Sequence, residues 1–594
     1  MSRFTTATAR AGLGLVAAAL MGLLAIGPQL PPQAHSAYPL VPVIVSTADG
    51  AAGQTAAHAV VRSGGSVSRQ LGLIQGFAGM VPGWALLPLV QLPGVLSVTP
   101  NASMHLLSST YSPTTDVASL YNTAGITEAR YMWSKGFTGK GVDIALIDSG
   151  IAPVEGLKTS GKVVNGPDIS FDSQFANLAY LDGYGHGTHM AGIIAGRDGT
   201  AEAGSYATDT TSFLGIAPDA RLVSVKVADQ TGASDVSQVI AGIDWVVQHR
   251  HDNGLNVRLI NLSFGTDSRQ SYINDPLAFA AEQAWRAGIT VVVSAGNDGQ
   301  AATGLADPAY DPLLLAVGAV DTNNSLLRSA HTVAAFSDYG SANRGPDVVA
   351  PGVHIASLLV PGSYIDHRYG AAGMVGDRFL RGSGTSQAAA VTTGAAALLL
   401  QENPSATPDQ LKKLLTSSAQ ELGNASIASQ GRGEINLRVG FHIALSHAAQ
   451  RFAPSIGTGS LELARGTHHL TAAGVTLTGE QDIFGAAFDT TAMALAELTR
   501  SAWTGGVFNG NSWTGNSWTG NSWTGNSWSG NSWSGNSWSG NSWSGNSWSG
   551  NSWSGNSWSG NSWSGNSWTG NSWTGNSWSG NSWSGNSWTS ADWS

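Results

Sequence analysis

Continuously apolar runs alternate with amphipathic stretches in the middle of the chain. The runs "VDIALID", "RLVSVKVA", "VRLINLS", "GITVVVSAGN" and "LLLAVGAVD" contain few polar positions. Between them, "SDVSQVIAGIDWVVQHR" and "PLAFAAEQAWRAG" place apolar residues at helical spacing. Strands that are apolar on both faces are typical of a parallel sheet covered by helices on each side. The pattern predicts an α/β domain over residues 111–450, doubly wound around a mostly parallel sheet.

Residues 37–110 show a shorter alternation. "YPLVPVIVS" and "VLSVTP" have strand composition, "SVSRQLGLIQGFAGMVP" predicts two further strands, and "TAAHAVVRSGG" and "WALLPLVQLPG" predict helices that end in turn residues. The order strand–helix–strand–strand–helix–strand is the split βαβ pattern. It predicts a small ferredoxin-like α+β domain, and an unrelated small α/β domain is the alternative.

The first 36 residues have the pattern of a secretory signal peptide. Arg3 and Arg10 precede the apolar run "AGLGLVAAALMGLLAIG", and Ala34-x-Ser36 forms a cleavage site. The run is 17 residues long, which is short for a membrane-spanning helix of about 20 residues. An uncleaved anchor or a buried helix is the alternative. We therefore expect a secreted, extracellular protein with a signal peptide at 1–36.

The other end of the chain is a repeat. After a mixed segment at 451–508, predicted as a linker or small subdomain, the tail at 509–594 repeats Asn-Ser-Trp-(Thr/Ser)-Gly in sixteen consecutive units, the last of which ends in Ser590 instead of glycine. An odd period alternates the tryptophans between the faces of a strand and gives no stripe on a helix. Two interpretations stay open: a flexible low-complexity stalk, or a solenoid-like stack of turns. Either leaves indoles exposed, which indicates an interaction. We expect cell-envelope polysaccharide and retention at the cell surface, with a spacer that has no ligand as the alternative.

Charge and cysteine content exclude several classes of function. Charged residues make up 11% of the chain, and the net charge is −10. Nucleic-acid binding requires basic patches, so we expect no nucleic-acid partner. The chain contains no cysteine, which excludes a disulfide scaffold and thiolate metal sites.

Polar residues stand where the predicted strands end. Asp148 closes "VDIALID", and Asn297 follows "GITVVVSAG". In such sheets, sites form beyond the carboxyl ends of the strands. A buried carboxylate is costly unless it has a partner. Taken alone, Asp148 is equally explained as a residue that caps a loop.

Two more polar residues stand where helices are predicted to start. His186 lies between two glycines before "THMAGIIAG", and Ser386 precedes an alanine-rich stretch. A serine at a helix N-terminus has a free backbone N–H, and the helix dipole favours negative charge there. An aspartate can orient a histidine that takes the serine proton, and an oxyanion needs two donors. The Ser386 N–H and the Asn297 amide can supply them.

Four segments, "IALIDSGI", "HGTHMAGIIAG", "SAGN" and "GTSQAAA", resemble the signature segments of the subtilisin-like serine proteases. The resemblance extends over about residues 126–448, with "LGIAPDARLVSVKV", "INLSFG", "AVGAVD", "FSDYG" and "DVVAPG" in the family's order. The order Asp, His, Ser is also that of subtilisin. The resemblance implies a subtilisin-like fold, with Ser386 as nucleophile, His186 as general base, Asp148 as orienting carboxylate and Asn297 as oxyanion donor.

The resemblance also implies how substrate binds. Ser263-Phe264-Gly265 and Gly232-Ala233-Ser234 are expected to pair with the substrate backbone on either side, and Ser294-Ala295-Gly296 to line the pocket for the side chain before the cut bond. Such pairing suits extended peptides and unfolded proteins.

Residues 37–110 are similar to the inhibitory propeptides of the same family. The resemblance implies that they assist folding, block the cleft and are then removed by self-cleavage between about Met104 and Pro113.

A zinc site at His186 and His189 is disfavoured, because no glutamate stands between the histidines and no third ligand follows. We expect no metal at the site, no cofactor, and a structural role for His189. The family often holds a calcium loop where 199–215 lies, but no set of calcium ligands can be recognised there. The resemblance therefore allows a structural calcium but does not locate it.

The sequence departs from the family pattern at Gln387, where methionine is frequent, and at Ala390, where proline is frequent. Neither position supplies a catalytic group. The chain is therefore predicted to be a secreted serine endopeptidase made as a self-processed precursor. The alternative is a catalytically idle surface-adhesion protein with a protease-like core. A lipase or esterase is disfavoured because Ser386 lacks a Gly-x-Ser-x-Gly context.

Overall fold

The computed structural model divides the chain into two compact units, Met1–Leu107 and Ser108–Ser594. It describes residues 40–101, 111–174, 178–302, 304–341, 344–423, 425–472, 475–504 and 506–509, and the backbone of 511–512, 517–520, 523–559 and 562–593. The predicted signal peptide and most of the predicted self-cleavage region lie outside the described residues.

The first unit is one antiparallel sheet with two helices. Its elements are β1 (Leu40–Thr47), α1 (Gly50–Arg62), β2 (Ser66–Leu71), β3 (Gly76–Pro82), α2 (Leu86–Val90) and β4 (Val95–Pro100), and the sheet order is β2-β3-β1-β4. Helix α1 begins where the Asp49 side chain accepts the Ala52 N–H, a standard N-cap. Val45 and Phe77 are fully buried between sheet and helices. The element order is the one that the hydrophobic pattern predicts.

The second unit is built on an eight-stranded sheet. Its strands are β5 (Asp143–Asp148), β6 (Val163–Asp168), β7 (Arg221–Lys226), β8 (Val257–Leu262), β9 (Thr290–Ser294), β10 (Leu315–Asp321), β11 (Thr332–Val333) and β12 (Val348–Pro351). The order is β11-β10-β9-β8-β5-β7-β6, with β12 also paired to β10, and every pair is parallel except β10 with β11. The predicted mostly parallel sheet is confirmed.

Helices cover both faces of this sheet. The long ones are α5 (His186–Ala195), α6 (Val236–His249), α7 (Pro276–Arg286) and α9 (Thr385–Glu402); the rest are α3 (Leu120–Ile126), α4 (Ala129–Ser134), α8 (Tyr364–Gly373), α10 (Pro408–Ser418), α11 (Ile427–Gln430), α12 (Leu437–Phe441), α13 (Leu461–Arg465) and α14 (Thr490–Leu498). Gly242 of α6 packs against Ile147, whereas Thr393 of α9 bonds Asn261. Asn261 is in register with Leu146, the neighbour of Ile147 in β5. Successive side chains of a strand point to opposite faces, so α6 and α9 lie on opposite sides.

A small antiparallel sheet extends the unit beside α5. It consists of β13 (Ile355–Leu358), β14 (Met374–Val375) and β15 (Phe379–Gly382), and its order is β13-β15-β14. Helix α8 lies between β13 and β14 in the chain. The Ser363 hydroxyl caps it by accepting the Asp366 N–H.

The segment 451–508, predicted as a linker or small subdomain, packs onto α6 and α7. It contains α13, α14 and four short strands: β16 (Thr471–Ala472), β17 (Val475–Thr476), β18 (Trp503–Thr504) and β19 (Val507–Phe508). Arg465 forms an ion pair with Asp235 in which both side chains are fully buried. The Trp503 indole donates to the Ala241 carbonyl of α6 at 2.9 Å. The segment shares the hydrophobic core of the second unit.

The repeat tail has a regular backbone register. Strand β20 (Asn511–Ser512) pairs with β19, and β21 (Ser517–Gly520), β22 (Trp523–Ser559) and β23 (Ser562–Trp593) form a parallel sheet. Ser517 pairs with Ser532 and Ser547 with Ser562, in each case three repeat units further along the chain. Parallel pairing at a constant offset is the backbone pattern of a solenoid, one of the two interpretations that the sequence leaves open.

Over the described parts of the chain, every helix is too short or too polar to cross a membrane.

Candidate active site

The carboxyl ends of three parallel strands meet at one edge of the large sheet. Asp148 ends β5, Ser263 follows β8, and Ser294 ends β9 three residues before Asn297. Helices α5 and α9 bring His186 and Ser386 in their first turns. The fold thus carries the predicted residues on elements that start or stop at this edge, where a parallel sheet binds ligands.

His186 and Asp148 form a hydrogen-bonded pair. The Nδ1 atom of His186 lies 2.8 Å from Oδ1 and 3.0 Å from Oδ2 of Asp148. The Asp148 side chain is 1% exposed, whereas the His186 side chain is 24% exposed. A buried carboxylate accepts here, so the Nδ1 atom carries the proton and Nε2 is left with its lone pair.

Opposing effects set the basicity of His186. Burial acts to lower its pKa, and the charge and hydrogen bond of Asp148, with a contribution from Asp182, outweigh burial and raise the pKa above its usual value. A more basic imidazole takes a proton more readily, which suits a general base.

Ser386 is the second residue of α9 and is 8% exposed. Its N–H lies in the first turn of the helix, where the helix itself provides no acceptor. Within the described residues, no hydrogen bond joins the Ser386 hydroxyl to His186. In free enzymes such bonds are often long and tighten when substrate binds.

The Asn297 side chain is held by the start of the same helix. Its Oδ1 atom accepts the backbone N–H of Thr385 at 2.8 Å and lies 3.0 Å from the Thr385 hydroxyl. Since the oxygen end of the amide is occupied, the NH₂ end is directed away from Thr385. Asn297 lines the same cavity as Ser386, so both can donate to one oxygen atom there.

A cavity of 940 Å³ adjoins the start of α9. Ser386, Asn297 and most of the predicted substrate residues line it, namely Ser263, Phe264, Gly265, Ser294 and Gly296. Ala295 is buried, with its N–H bonded to the Val317 carbonyl.

The third segment that is predicted to bind substrate, residues 232–234, lies outside this cavity. Gly232, Ala233 and Ser234 are not among the residues that line this cavity. Gly232 is packed against the Tyr184 ring, and Asp229 closes the turn by accepting the Ala233 N–H. His186 lines a neighbouring cavity.

Comparison with known proteins decides the family. The sequence profile of the "Subtilase family" matches residues 139–441, just over half of the chain. The chain belongs to the subtilase family.

Named subtilases support the assignment. The chain is 36% identical to "Serine protease AprX" of Bacillus subtilis (strain 168) over 305 residues, which cover 50% of this chain and 66% of AprX. It is 32% identical to "Minor extracellular protease Epr" of the same strain, over 57% of this chain and 45% of Epr. It is also 32% identical to "Subtilisin DY" of Bacillus licheniformis, over 51% of this chain and 92% of that relative. The chain thus spans less than two thirds of AprX and less than half of Epr.

The two departures from the subtilase pattern lie inside α9. Ala390 is fully buried and packs within the helix layer. Gln387 is 6% exposed and lines the cavity that contains His186. Only Gln387 therefore contributes to the surroundings of this subtilase's candidate site.

Asp182 supports the histidine and was missed by the sequence analysis. Its Oδ1 atom accepts the Ser149 hydroxyl at 2.8 Å and the Gly185 N–H at 2.6 Å, and its Oδ2 atom accepts the Thr188 N–H at 2.7 Å. Ser149 in turn accepts the Gly187 N–H at 2.9 Å. The network fixes the backbone on both sides of His186. Its sequence signal is an aspartate four residues before the histidine, which resembles any turn-forming aspartate.

Asp338 supports the loop after Asn297 and was also missed. Its Oδ1 atom accepts the N–H groups of Asp298 at 2.6 Å and Gly299 at 2.9 Å. Burial raises the pKa of Asp338 to about 6, although the two N–H donors act to lower it. Any side chain on Gly296 would collide with Asp338, so these two residues fit each other closely.

His189 is a buried neutral residue. Its Nε2 atom has no hydrogen-bond partner, and burial, followed by the nearby His186, lowers its pKa to about 3. Across the described ranges, no cluster of three or more His, Asp or Glu side chains could hold a metal ion. In the segment 199–215, the Asp209 carboxylate closes its own turn by accepting the Thr211 and Ser212 N–H groups.

Proposed function

We propose that this subtilase is a secreted serine endopeptidase that cleaves extended peptides and unfolded proteins through an acyl-enzyme on Ser386. The observation that carries the proposal is the His186–Asp148 hydrogen bond at the sheet edge where α9 presents Ser386 and holds Asn297. An adhesion protein would have no use for an oriented imidazole beside a serine at a helix N-terminus.

The mechanism assigns one task to each residue. His186 Nε2 takes the proton of the Ser386 hydroxyl as its oxygen attacks the peptide carbonyl carbon. The Ser386 N–H and the Asn297 amide donate to the resulting oxyanion. The C–N bond breaks, the leaving amine takes the proton from His186, and water then repeats the sequence to release the acyl group and restore the serine. Asp148 stabilises the imidazolium throughout.

The proposal includes no cofactor and no catalytic metal. A structural calcium would act on stability instead of chemistry. Chelation should therefore leave the initial cleavage rate unchanged, even if it shortens the lifetime of the enzyme on warming.

Substrate binding uses backbone pairing. Ser263-Phe264-Gly265 would add the substrate as an extra strand on one side and Gly232-Ala233-Ser234 on the other, with Ser294-Ala295-Gly296 at the pocket before the cut bond. Such recognition accepts many sequences, provided that the chain is extended.

The test is incubation with an unfolded protein, with and without a serine-directed phosphonate, followed by mapping of the cut sites. Cleavage that the phosphonate abolishes, and a phosphonate adduct on Ser386 that is missing from Ser386→Ala, support the proposal. An intact substrate after processing to the mature form would favour the idle adhesion protein.

The first unit is proposed to be an inhibitory propeptide that the enzyme removes by self-cleavage. A parallel sheet has many distant contacts and folds slowly, which gives a folding aid a physical reason. Ser386→Ala should then accumulate only as the unprocessed precursor in a host without other extracellular proteases. A shortened mature form of that variant would show that another protease does the cutting.

The repeat tail is proposed to retain the enzyme on cell-envelope polysaccharide, where indoles stack on sugar rings. The parallel register of β22 and β23, three repeats per step, supports a stack that presents the repeat periodically. Full-length protein and a variant ending at residue 508 should be compared, both as Ser386→Ala to prevent processing. If both partition equally to the wall fraction, the tail is a spacer.

A further inference from the structure

A second cavity lies on the His186 side of the α9 N-terminus. Its volume is 840 Å³. His186 and Gln387 line it, whereas Ser386 and Asn297 line the other cavity. None of the segments assigned to substrate binding above contributes to it. The first turn of α9 thus separates two spaces, one beside the oxyanion donors and one beside the general base.

Helix α8 forms a wall of this cavity and is attached directly to residues 183–186, here called the histidine loop. The Tyr364 N–H donates to the Gly183 carbonyl at 2.9 Å, and the Ile365 N–H donates to the Tyr184 carbonyl at 3.0 Å. Gly185, at φ 102°, has no room for a side chain because a Cβ atom would lie 2.7 Å from the Ser363 hydroxyl. The start of α8 is therefore fixed two residues from His186.

The wall is aromatic. The Tyr184 and Tyr364 rings are stacked, with their centroids 5.5 Å apart and an interplanar angle of 25°. Gly232 lies so close to the Tyr184 ring that a Cβ atom there would be 2.7 Å from it. Tyr369, one turn further along α8, is 55% exposed and lines the cavity. Ile365, Val353 and Leu380 add apolar surface to it.

The charged residues of the cavity are tied to one another or to the backbone. Arg381 forms an ion pair with Asp116 at 2.6 Å, and the Asp321 carboxylate accepts the Asn323 N–H at 2.8 Å. An acidic side chain would therefore find no unpaired positive charge here, since the Arg381 guanidinium is already paired with Asp116. The tyrosine and aliphatic side chains named above form the apolar part of the lining, beside polar residues such as Asp321 and Asn324.

We propose that this cavity binds the side chain that follows the cleaved bond, and that it selects a large apolar or aromatic residue there. The leaving amine must take its proton from His186, so the residues beyond the cut bond lie on the histidine side of Ser386, while the acyl half lies beside Asn297. Tyr184 and Tyr369 are the specificity-determining residues. The inference rests on the proposed acyl-enzyme.

Acyl transfer tests the cavity directly. A peptide ester acylates the mature enzyme, and amino-acid amides then compete with water for the acyl group, so the ratio of aminolysis to hydrolysis reports binding of the incoming residue alone. Phenylalaninamide should exceed glycinamide by at least about tenfold, as expected for a side chain that enters an apolar pocket. Aspartic-acid amide should stay close to glycinamide, and lysinamide should stay below phenylalaninamide.

Tyr369→Ala and Tyr184→Ala should each bring the phenylalanine-to-glycine ratio close to one. Tyr369 is exposed, so its variant should fold even if Tyr184→Ala does not. Ile427→Ala, which removes a side chain that is 72% exposed on α11, is the control and should keep the wild-type ratio. Equal aminolysis by all amides, a preference for a charged amide, or an unchanged ratio in both tyrosine variants overturns the inference. Absence of any ester turnover overturns the proposed function itself, and this inference with it.

Discussion

The side-chain oxygen of Asn297 accepts the backbone N–H of Thr385 at 2.8 Å, although the two residues are 88 positions apart in the chain, one after β9 and one at the start of α9. The bond sets which end of the amide faces the cavity that contains Ser386. It also makes the first turn of α9 hold both proposed oxyanion donors, the Ser386 N–H and the Asn297 amide, in one rigid arrangement.

Asn297→Ala should therefore lower kcat by about 10²–10³ and leave KM nearly unchanged, because the lost donor acts mainly on the oxyanion. The measurement is steady-state hydrolysis of a peptide substrate. Asn274→Ala, at an exposed asparagine just before α7, is the control and should behave as wild type. An increase in KM with constant kcat would assign Asn297 to ground-state binding.

Asp182→Asn should lower kcat/KM by about tenfold to a hundredfold, because the Ser149, Gly185 and Thr188 contacts hold the backbone around His186 and small misplacements are costly. The charge of Asp182 also helps to raise the pKa of His186. Activity requires neutral His186, so the rise of kcat/KM with pH should move to lower pH in the variant.

The readout for Asp182→Asn is the pH profile of kcat/KM, with Asp252→Asn as the control at an exposed aspartate. A uniform loss of activity with no movement of the acidic limb would restrict Asp182 to a purely structural role.

The sequence predicts those parts of the site that depend on local pattern. The apolar runs predict β5 and β9, and the ends of these runs predict where Asp148 and Asn297 lie, because the end of a strand is determined by its own residues. The partners of Asp182 and Asp338 could not be predicted in this way. An aspartate in a loop looks the same whether it closes its own turn or holds the backbone beside a catalytic residue.

Long-range pairs set a second limit on prediction. Arg465 and Asp235 meet although 230 positions separate them, and nothing in the local pattern of 451–508 identifies α6 as the surface that this segment covers. The attachment of α8 to the histidine loop is likewise made by backbone groups, which carry no residue-specific signal.

Glu497→Gln should increase stability at alkaline pH. Glu497 of α14 and Asp244 of α6 are buried together, and each has a carboxylate oxygen without a partner. Burial raises the pKa of Glu497 well above its usual value, and the charge of Asp244 raises it further. A pKa raised on folding gives stability that is present below the unfolded value of 4.5 and is lost as pH rises through the folded pKa.

A glutamine at position 497 does not ionise, so the variant does not lose this stability as pH rises. Both proteins should be measured in a Ser386→Ala background, which prevents autolysis. At pH 8 the free energy of unfolding of Glu497→Gln, obtained with denaturant, should exceed that of its parent by at least about 1 kcal/mol, the equivalent of roughly one pKa unit. Near pH 4 the difference should vanish. A variant that is less stable than its parent at pH 8 would contradict the assignment of a proton to this pair.

Arg465→Met should loosen the segment 451–508 from the catalytic core. The guanidinium is fully buried, bonds the Asp235 carboxylate at 2.6 Å and donates to the carbonyls of Gly479 and Gln481. Methionine fills much of the volume but leaves Asp235 as a buried charge without its partner. Breaking a buried pair from one side costs about 3–5 kcal/mol, so the melting temperature should fall and α13 should become sensitive to an added protease.

Two companion variants separate charge from packing at Arg465. Lys158→Met removes an ion pair whose lysine side chain is 60% exposed, and exposed pairs contribute little, so its stability should match the Ser386→Ala parent. Arg465→Met combined with Asp235→Asn should recover part of the loss, because no unpaired charge then remains, although the N-cap of α6 that Asp235 provides is weakened. If the double variant is as unstable as the sum of the singles, the two side chains act independently, and the attachment of the segment depends on its apolar contacts with α6 and α7 instead of on this ion pair.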